Sequence, residues 1–321
     1  MAVAGSRRMI WAVEMAVIVM GLMAMASPTM QLSMKNPLQG AVQKINDLGL
    51  SVYAIIVTAT SSEEAFNESG IFNPDSSVVC KGRTFLLGTI YGRKFVFVNS
   101  PDSPAINVAI TMEILADKFN LLGIIYFGSA GALNDSLSIG NVAVPNLIGS
   151  TGLWTWQPIN APKEGLLKFG EFNYPEKGEN WLGSVQYDRS TAYINGTFKE
   201  RFWIRVTPEW QKIAEEICEV DSVQVVHGLR ISSADTYVNN EAYKNFLYNT
   251  FKTSVVDKSS VAVALGAYTN ELPFILFNGV SNYANGSDVK NSTLANANAV
   301  KVLNRFIQRL LLPVPASYDD E

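Results

Sequence analysis

The apolar positions of this chain fall into short dense runs separated by glycine, proline and polar clusters. Ser51 to Val57, Leu121 to Phe127, Gly140 to Pro145, Ser222 to Ser232 and Leu272 to Val280 are each almost unbroken and rich in β-forming residues. Runs of this length, bounded by turn residues, predict strands buried on both faces, as in a sheet covered by helices. Phe85 to Ile90 and Lys94 to Val98 predict a hairpin around Tyr91-Gly92-Arg93.

Between these runs the spacing becomes helical. Ser103 as N-cap with Pro104 at the first position predicts a helix to Phe119. Pro208 to Glu219 places Trp210, Ile213, Ala214 and Ile217 on one face, Val261 to Tyr268 reads as a core helix, and Leu294 to Leu312 as the last one. Leu38 to Leu48 is amphipathic and stops at Gly49. Gly149 to Thr207 is the least regular and most aromatic stretch, so loops and short strands are expected over one side of the sheet. Its rings either stack on a flat ligand or pack beneath the loops.

Composition narrows the chemistry. With 321 residues, 48% of them hydrophobic and 17% charged, the chain can bury one large core. A net charge of −4 argues against nucleic-acid binding, which needs a basic face. There is one histidine, His227, set in the apolar run Val-Gln-Val-Val-His-Gly-Leu-Arg. Multi-imidazole zinc sites are therefore excluded, and a Ser-His-Asp triad would have to use that residue. Cys80 and Cys218 lack metal-ligand spacing and are compatible with one disulfide. No cofactor fingerprint or metal site is expected.

The first residues read as a leader. Arg7 and Arg8 precede an apolar stretch, and Ala24-Met25-Ala26 suits signal-peptidase cleavage, giving a signal peptide over 1–26 and an N-terminal segment with a short helix over 27–50. Glu14 interrupts the apolar stretch and argues against a membrane-spanning helix, the alternative being an N-terminal anchor; no membrane partner is expected after removal of the leader. Sequons at Asn67, Asn134, Asn195, Asn285 and Asn291 fit passage through a secretory pathway. Residues 313–321 read as a solvated tail.

The centre of the pattern is Leu121 to Leu133, an apolar strand followed by Gly128-Ser129-Ala130-Gly131, which predicts a glycine turn at the carboxyl end of a strand. Joined to the Gly140-Asn-Val-Ala-Val-Pro145 strand, it resembles the nucleoside phosphorylase/nucleosidase superfamily, and within it plant bark and vegetative storage proteins and their wound-inducible relatives. The likeness covers about Ser51 to Leu312. It implies an α/β fold: one domain over 51–312, three α/β/α layers, and a central mixed, partly barrel-like sheet. It also implies a purine nucleoside or base as ligand and a homo-oligomer.

The same resemblance marks site positions. Ser129, Ala130 and Gly131 would line the ligand, and Tyr237 and Val238 fall where relatives stack an aromatic ring on the purine. Where the family reads Val-Glu-Met-Glu-Ala this chain has Val256-Asp257-Lys258-Ser259-Ser260, so Ser259 replaces the carboxylate that holds the ribose hydroxyls and Lys258 replaces the methionine. If Asp257 lies on a strand, alternation puts it on the side of Ser259, where it can partly substitute. Ser281-Asn282 stands at the family's Ser-Asp, and an amide cannot pass a proton to the departing base. For the water-activating glutamate, Glu63 matches after a one-residue insertion, whereas strict register gives Ser62. Glu63 and Glu64 also suit a first helical turn. Tyr126 and Phe127 replace the arginine of phosphorolysing relatives, and Asp102 opposes an anion, so phosphate is not expected as co-substrate. These departures favour a storage protein with a degenerate pocket and little or no catalysis. The alternatives are an active purine nucleosidase or phosphorylase using Asn282 and Asp257, and a nucleoside- or cytokinin-binding protein.

Overall fold

A computed structural model describes residues 51–312, apart from 104, 163–166 and 176. The expected leader (1–26), the helix at Leu38 to Leu48 and the tail (313–321) lie outside the described residues.

The core is an 11-stranded mixed sheet. Strand β1 (Val52–Val57) lies between β4 (Arg93–Asn99) and β5 (Leu121–Ala132), parallel to both. The expected hairpin is β3 (Arg83–Ile90) with β4, and an edge strand, β2 (Asn73–Cys80), adds to β3. The sequence pattern gave no strand at β2 because most of its residues are exposed and it carries Pro74.

On the other side the sheet closes on itself. β5 pairs with β16 (Phe274–Asn282), β16 with β6 (Val142–Ser150), β6 with β14 (Val223–Ser233), β14 with β15 (Val255–Asp257), and β15 returns to β5. This ring of five strands is the expected barrel-like part of the sheet.

Both faces are covered, which explains the unbroken apolar runs. Along β1, Ala54 and Ile56 point to one core and Ile55 and Val57 to the other. The first core is roofed by α2 (Ile106–Lys118) and α5 (Ser260–Thr269). The second is roofed by α1 (Thr60–Glu68), α3 (Pro208–Glu215) and α6 (Ser292–Leu310). The result is a three-layer α/β/α domain.

The aromatic stretch forms a separate three-stranded sheet from β7 (Trp154–Gln157), β8 (Phe169–Glu171) and β9 (Ser184–Tyr187), and a hairpin from β10 (Ser190–Ile194) and β11 (Thr197–Arg201). Tyr187 and Val185 pack with Leu247 and Phe251 of α4 (Glu241–Phe251) in a third core.

Two boundaries differ from expectation. Helix α2 starts at Ile106 with Ala105 as N-cap, not at Ser103. Its first amide is satisfied from elsewhere, since Ala105 N–H donates to Asp235 Oδ1 at 2.7 Å. Helix α3 ends at Glu215, four residues early. Cys80 is buried and Cys218 exposed, and both are free thiols.

Candidate functional site

The largest correction concerns Gly128-Ser129-Ala130-Gly131. No turn occurs there: β5 continues through Ala132, with Gly128 to Ala130 paired in register to Asn278 to Val280. The glycines are needed for close approach. A Cβ on Gly131 would stand 3.2 Å from Ala284 Cβ, 3.3 Å from Asn282 Oδ1 and 3.3 Å from Val256 Cγ1.

That close approach shapes a cavity of about 260 Å³ at the carboxyl ends of the strands, the usual ligand position in open α/β sheets. The turn after β1 delivers Thr58, β5 delivers Ser129, Ala130 and Gly131, the loop after β14 delivers Thr236, Tyr237 and Val238, β15 delivers Val256 and Asp257, and β16 delivers Ser281 and Asn282. Lys258 and Ser259 complete one wall. Ten of the expected positions thus meet around one space. Of the aromatic residues of 149–207, none lines it: Tyr187 and Phe202 pack in the third core, whereas Trp156, Tyr174, Trp181, Tyr193 and Phe198 are exposed.

Glu63 is the exception. It does not line the cavity, and its carboxylate accepts a hydrogen bond from Asn99 Nδ2 at 2.6 Å. Ser62, given by strict register, does line it; its buried hydroxyl donates to Asn296 Oδ1 at 3.1 Å. The residue of strict register thus reaches the cavity, and the residue of the inserted register does not.

Two carboxylates reach the cavity among the described residues, and both have protein partners. Asp257 ends β15, while Ser259 is the N-cap of α5 with φ −117° and ψ −25°, so they share the cavity through a turn and not through strand alternation. Asp257 Oδ2 accepts from Ser260 Oγ at 2.6 Å, and both its oxygens lie 3.2 Å from the Ser260 amide. Burial pushes its carboxyl above the ordinary 3.8, and the hydrogen bonds from Ser260, Ser233 and Ser259 oppose that only in part. Asp102 Oδ2 pairs with Lys258 Nζ at 2.8 Å.

Apart from the Lys290 ammonium, the remaining polar groups are neutral. Asn282 is buried, and its Oδ1 accepts from Ser281 Oγ at 3.1 Å, which leaves the amide N–H bonds as its offer to a ligand. Tyr126 presents its hydroxyl 3.4 Å from Thr58 Oγ1, and Ser259 Oγ donates to the same oxygen at 3.5 Å. Burial, and then the nearby Asp257 charge, hold the Tyr126 phenol far above its usual range, so it stays protonated. Sequence reasoning missed Thr58, Ser61, Tyr126, Thr236, Lys290 and Ser292 as lining residues. Lys290 has no local signal: an isolated antiparallel bridge to Asn282 brings it there.

No group of three or more His, Cys, Asp or Glu suited to a metal occurs among the described residues, nor any helix long and apolar enough to cross a membrane.

Comparison with known proteins agrees with this fold. The family model of the Phosphorylase superfamily matches residues 54–311. Bark storage protein A of Populus deltoides is 36% identical over 309 residues, covering 90% of this chain and 98% of the relative. A 5'-methylthioadenosine/S-adenosylhomocysteine nucleosidase of Listeria welshimeri is 25% identical over 210 residues, 65% of this chain and 77% of its own. Among solved structures, the corresponding nucleosidase of Helicobacter pylori with butyl-thio-DADMe-Immucillin-A superposes with a TM-score of 0.61 at 15% identity, over 81% of this chain and 98% of that one. The futalosine hydrolase of Helicobacter pylori gives 0.61 at 15% identity over the same shares. At these identities the structures speak for the fold.

Proposed function

The chain belongs to the phosphorylase superfamily, and on that premise we propose that it is a storage protein whose nucleoside-type cavity retains binding but has little or no N-glycosidic activity. Cleavage of that bond needs an activated nucleophile, negative charge beside the developing oxocarbenium ion, and an acid for the leaving base. The observation that carries the proposal is the state of the charges. One cavity carboxylate is held by Lys258 and the other caps α5 at Ser260, while Ser259 and Asn282 supply a hydroxyl and an amide where charge or acidity is required. General acid catalysis alone contributes typically ~10²–10⁴-fold. The identity shared with bark storage protein A supports the same reading. Delivery through the secretory pathway to vacuole or cell exterior, and assembly as a homo-oligomer, belong to the proposal.

A cavity near 260 Å³ lies just below the roughly 300–1,000 Å³ typical of small-molecule sites, which suits a purine base or compact nucleoside beside Tyr237. A working nucleosidase is the second reading. It is favoured by Asp257, a cavity carboxyl whose affinity for its proton is raised by burial. Incubation with adenosine, inosine and methylthioadenosine, with and without phosphate, separates the two. Saturable binding with no free base above the no-protein control is expected. Base release at enzymatic rates would replace the storage reading with the second.

A further inference from the structure

Resting on the binding part of that proposal, the geometry points to a cation-and-ring subsite at the cavity mouth, made by Lys290 and Tyr237. We infer that it selects aromatic ligands carrying an anionic substituent.

The charges of the cavity are almost all committed. Asp102 and Lys258 neutralise each other, and Asp257 is held by Ser260. Lys290 is different. Among the described residues no carboxylate lies within ion-pair distance of it; its ammonium stands 5.7 Å from the centroid of the Tyr237 ring. An exposed cation–ring contact is weak, so it is easily exchanged for a charge-assisted hydrogen bond, which is about twice as strong as a neutral one. Tyr237 is 61% exposed despite lining the cavity, so a face of the ring is open to a ligand.

Position follows from backbone pairing. Asn282 and Lys290 form an antiparallel bridge, and residues directly opposite one another carry their side chains on the same face. The Asn282 amide N–H and the Lys290 ammonium are therefore neighbouring donors. The loops that carry them are fixed: Asn240 N–H donates to Ala284 O at 3.2 Å, and Gly286 N–H to Asn239 Oδ1 at 3.0 Å. A ring lying on Tyr237 meets two donors and no free carboxylate. Such a site rewards an acidic group on the ligand, whether a ring carboxylate or a phosphate on an attached sugar.

The test compares matched pairs: purine against purine-6-carboxylate, and adenosine against adenosine 5'-monophosphate, titrated calorimetrically into the full chain and into Lys290→Met and Lys290→Arg. The acidic member of one pair should bind at least about tenfold tighter than its neutral partner, as one charge-assisted contact provides. The pair that responds identifies whether carboxylate or phosphate is the source. The preference should vanish in Lys290→Met and persist in Lys290→Arg. Equal binding within both pairs, or a preference that survives Lys290→Met, overturns the inference and leaves the cavity a general binder. No binding by any of the four ligands overturns both it and the binding reading.

Discussion

Asp257 Oδ2 and Ser260 Oγ lie 2.6 Å apart, in the turn that joins the closing strand of the barrel to helix α5. This cavity carboxylate thus holds the first amide and hydroxyl of a helix, two residues before its N-cap Ser259. Capping side chains contribute typically ~1 kcal/mol. Removing this one also strands the buried Asn278 amide, whose Nδ2 is 3.5 Å from Asp257 Oδ2. Asp257→Ala is expected to cost roughly 2–3 kcal/mol, from the cap together with the unsatisfied partner, measured by urea unfolding. A loss under 0.5 kcal/mol would show that the capping role is wrong.

The same residue makes a pH prediction. Its folded carboxyl titrates above the ordinary 3.8, so between 3.8 and the folded value the native state binds more protons than the unfolded one. Stability then falls as pH rises through that window and is level beyond it. Asp257→Asn removes this contribution. The wild type should therefore have its greatest relative stability below pH 3.8 and lose ground to Asp257→Asn as pH rises, read as the difference in Tm across a pH series. The opposite slope would mean that hydrogen bonding outweighs burial.

Restoring acidity at β16 should restore turnover if the amide is what limits it. Asn282→Asp is expected to raise base release from a purine nucleoside by about 10²-fold, at the lower end of general acid catalysis. By contrast, Glu63→Gln should leave both binding and turnover unchanged, because its carboxylate faces Asn99 and not the cavity. A strong effect of Glu63→Gln on either would reopen the inserted register.

Two glycines separate close approach from interpenetration. Gly131→Ala pushes a methyl against Ala284, Asn282 and Val256 at 3.2–3.3 Å, and overpacking of that kind costs about 1–3 kcal/mol. In Gly279→Ala the new Cβ would overlap the Ala295 carbonyl in α6. The first variant should fold with weakened ligand binding. The second should yield no soluble native protein, and recovery of a stable Gly279→Ala would show that α6 can shift off β16.

Lys258 and Asp102 are 29% and 37% exposed, so their pair is worth only about 0.2–1 kcal/mol by double-mutant cycle. That coupling should shrink towards zero in 1 M salt, where the Debye length is about 3 Å. A coupling unaffected by salt would mean that the pair is effectively buried.

The sequence by itself determined the layered architecture and most of the cavity. Strand identity is a local property: Val52 to Val57 or Phe274 to Val280 can be buried on both faces only inside a covered sheet, and their carboxyl ends must then converge. That convergence brought Ser129, Tyr237, Asp257 and Asn282 together as expected. Tertiary structure decided what each group does there. Gly128 to Gly131 has the composition of a turn, yet pairing with Asn278 to Val280 keeps it extended, because two flanking strands satisfy its amides better than a turn would. Lys290 reaches the cavity through its bridge to Asn282, and Asp257 is committed because α5 begins where it does. Glu63 and Ser62 differ by a single residue in sequence. The rotation of helix α1 places Ser62 on the cavity and Glu63 against Asn99. Long-range partners of this kind leave no trace in local spacing, so the chemistry of the cavity could be read only once the chain was folded around it.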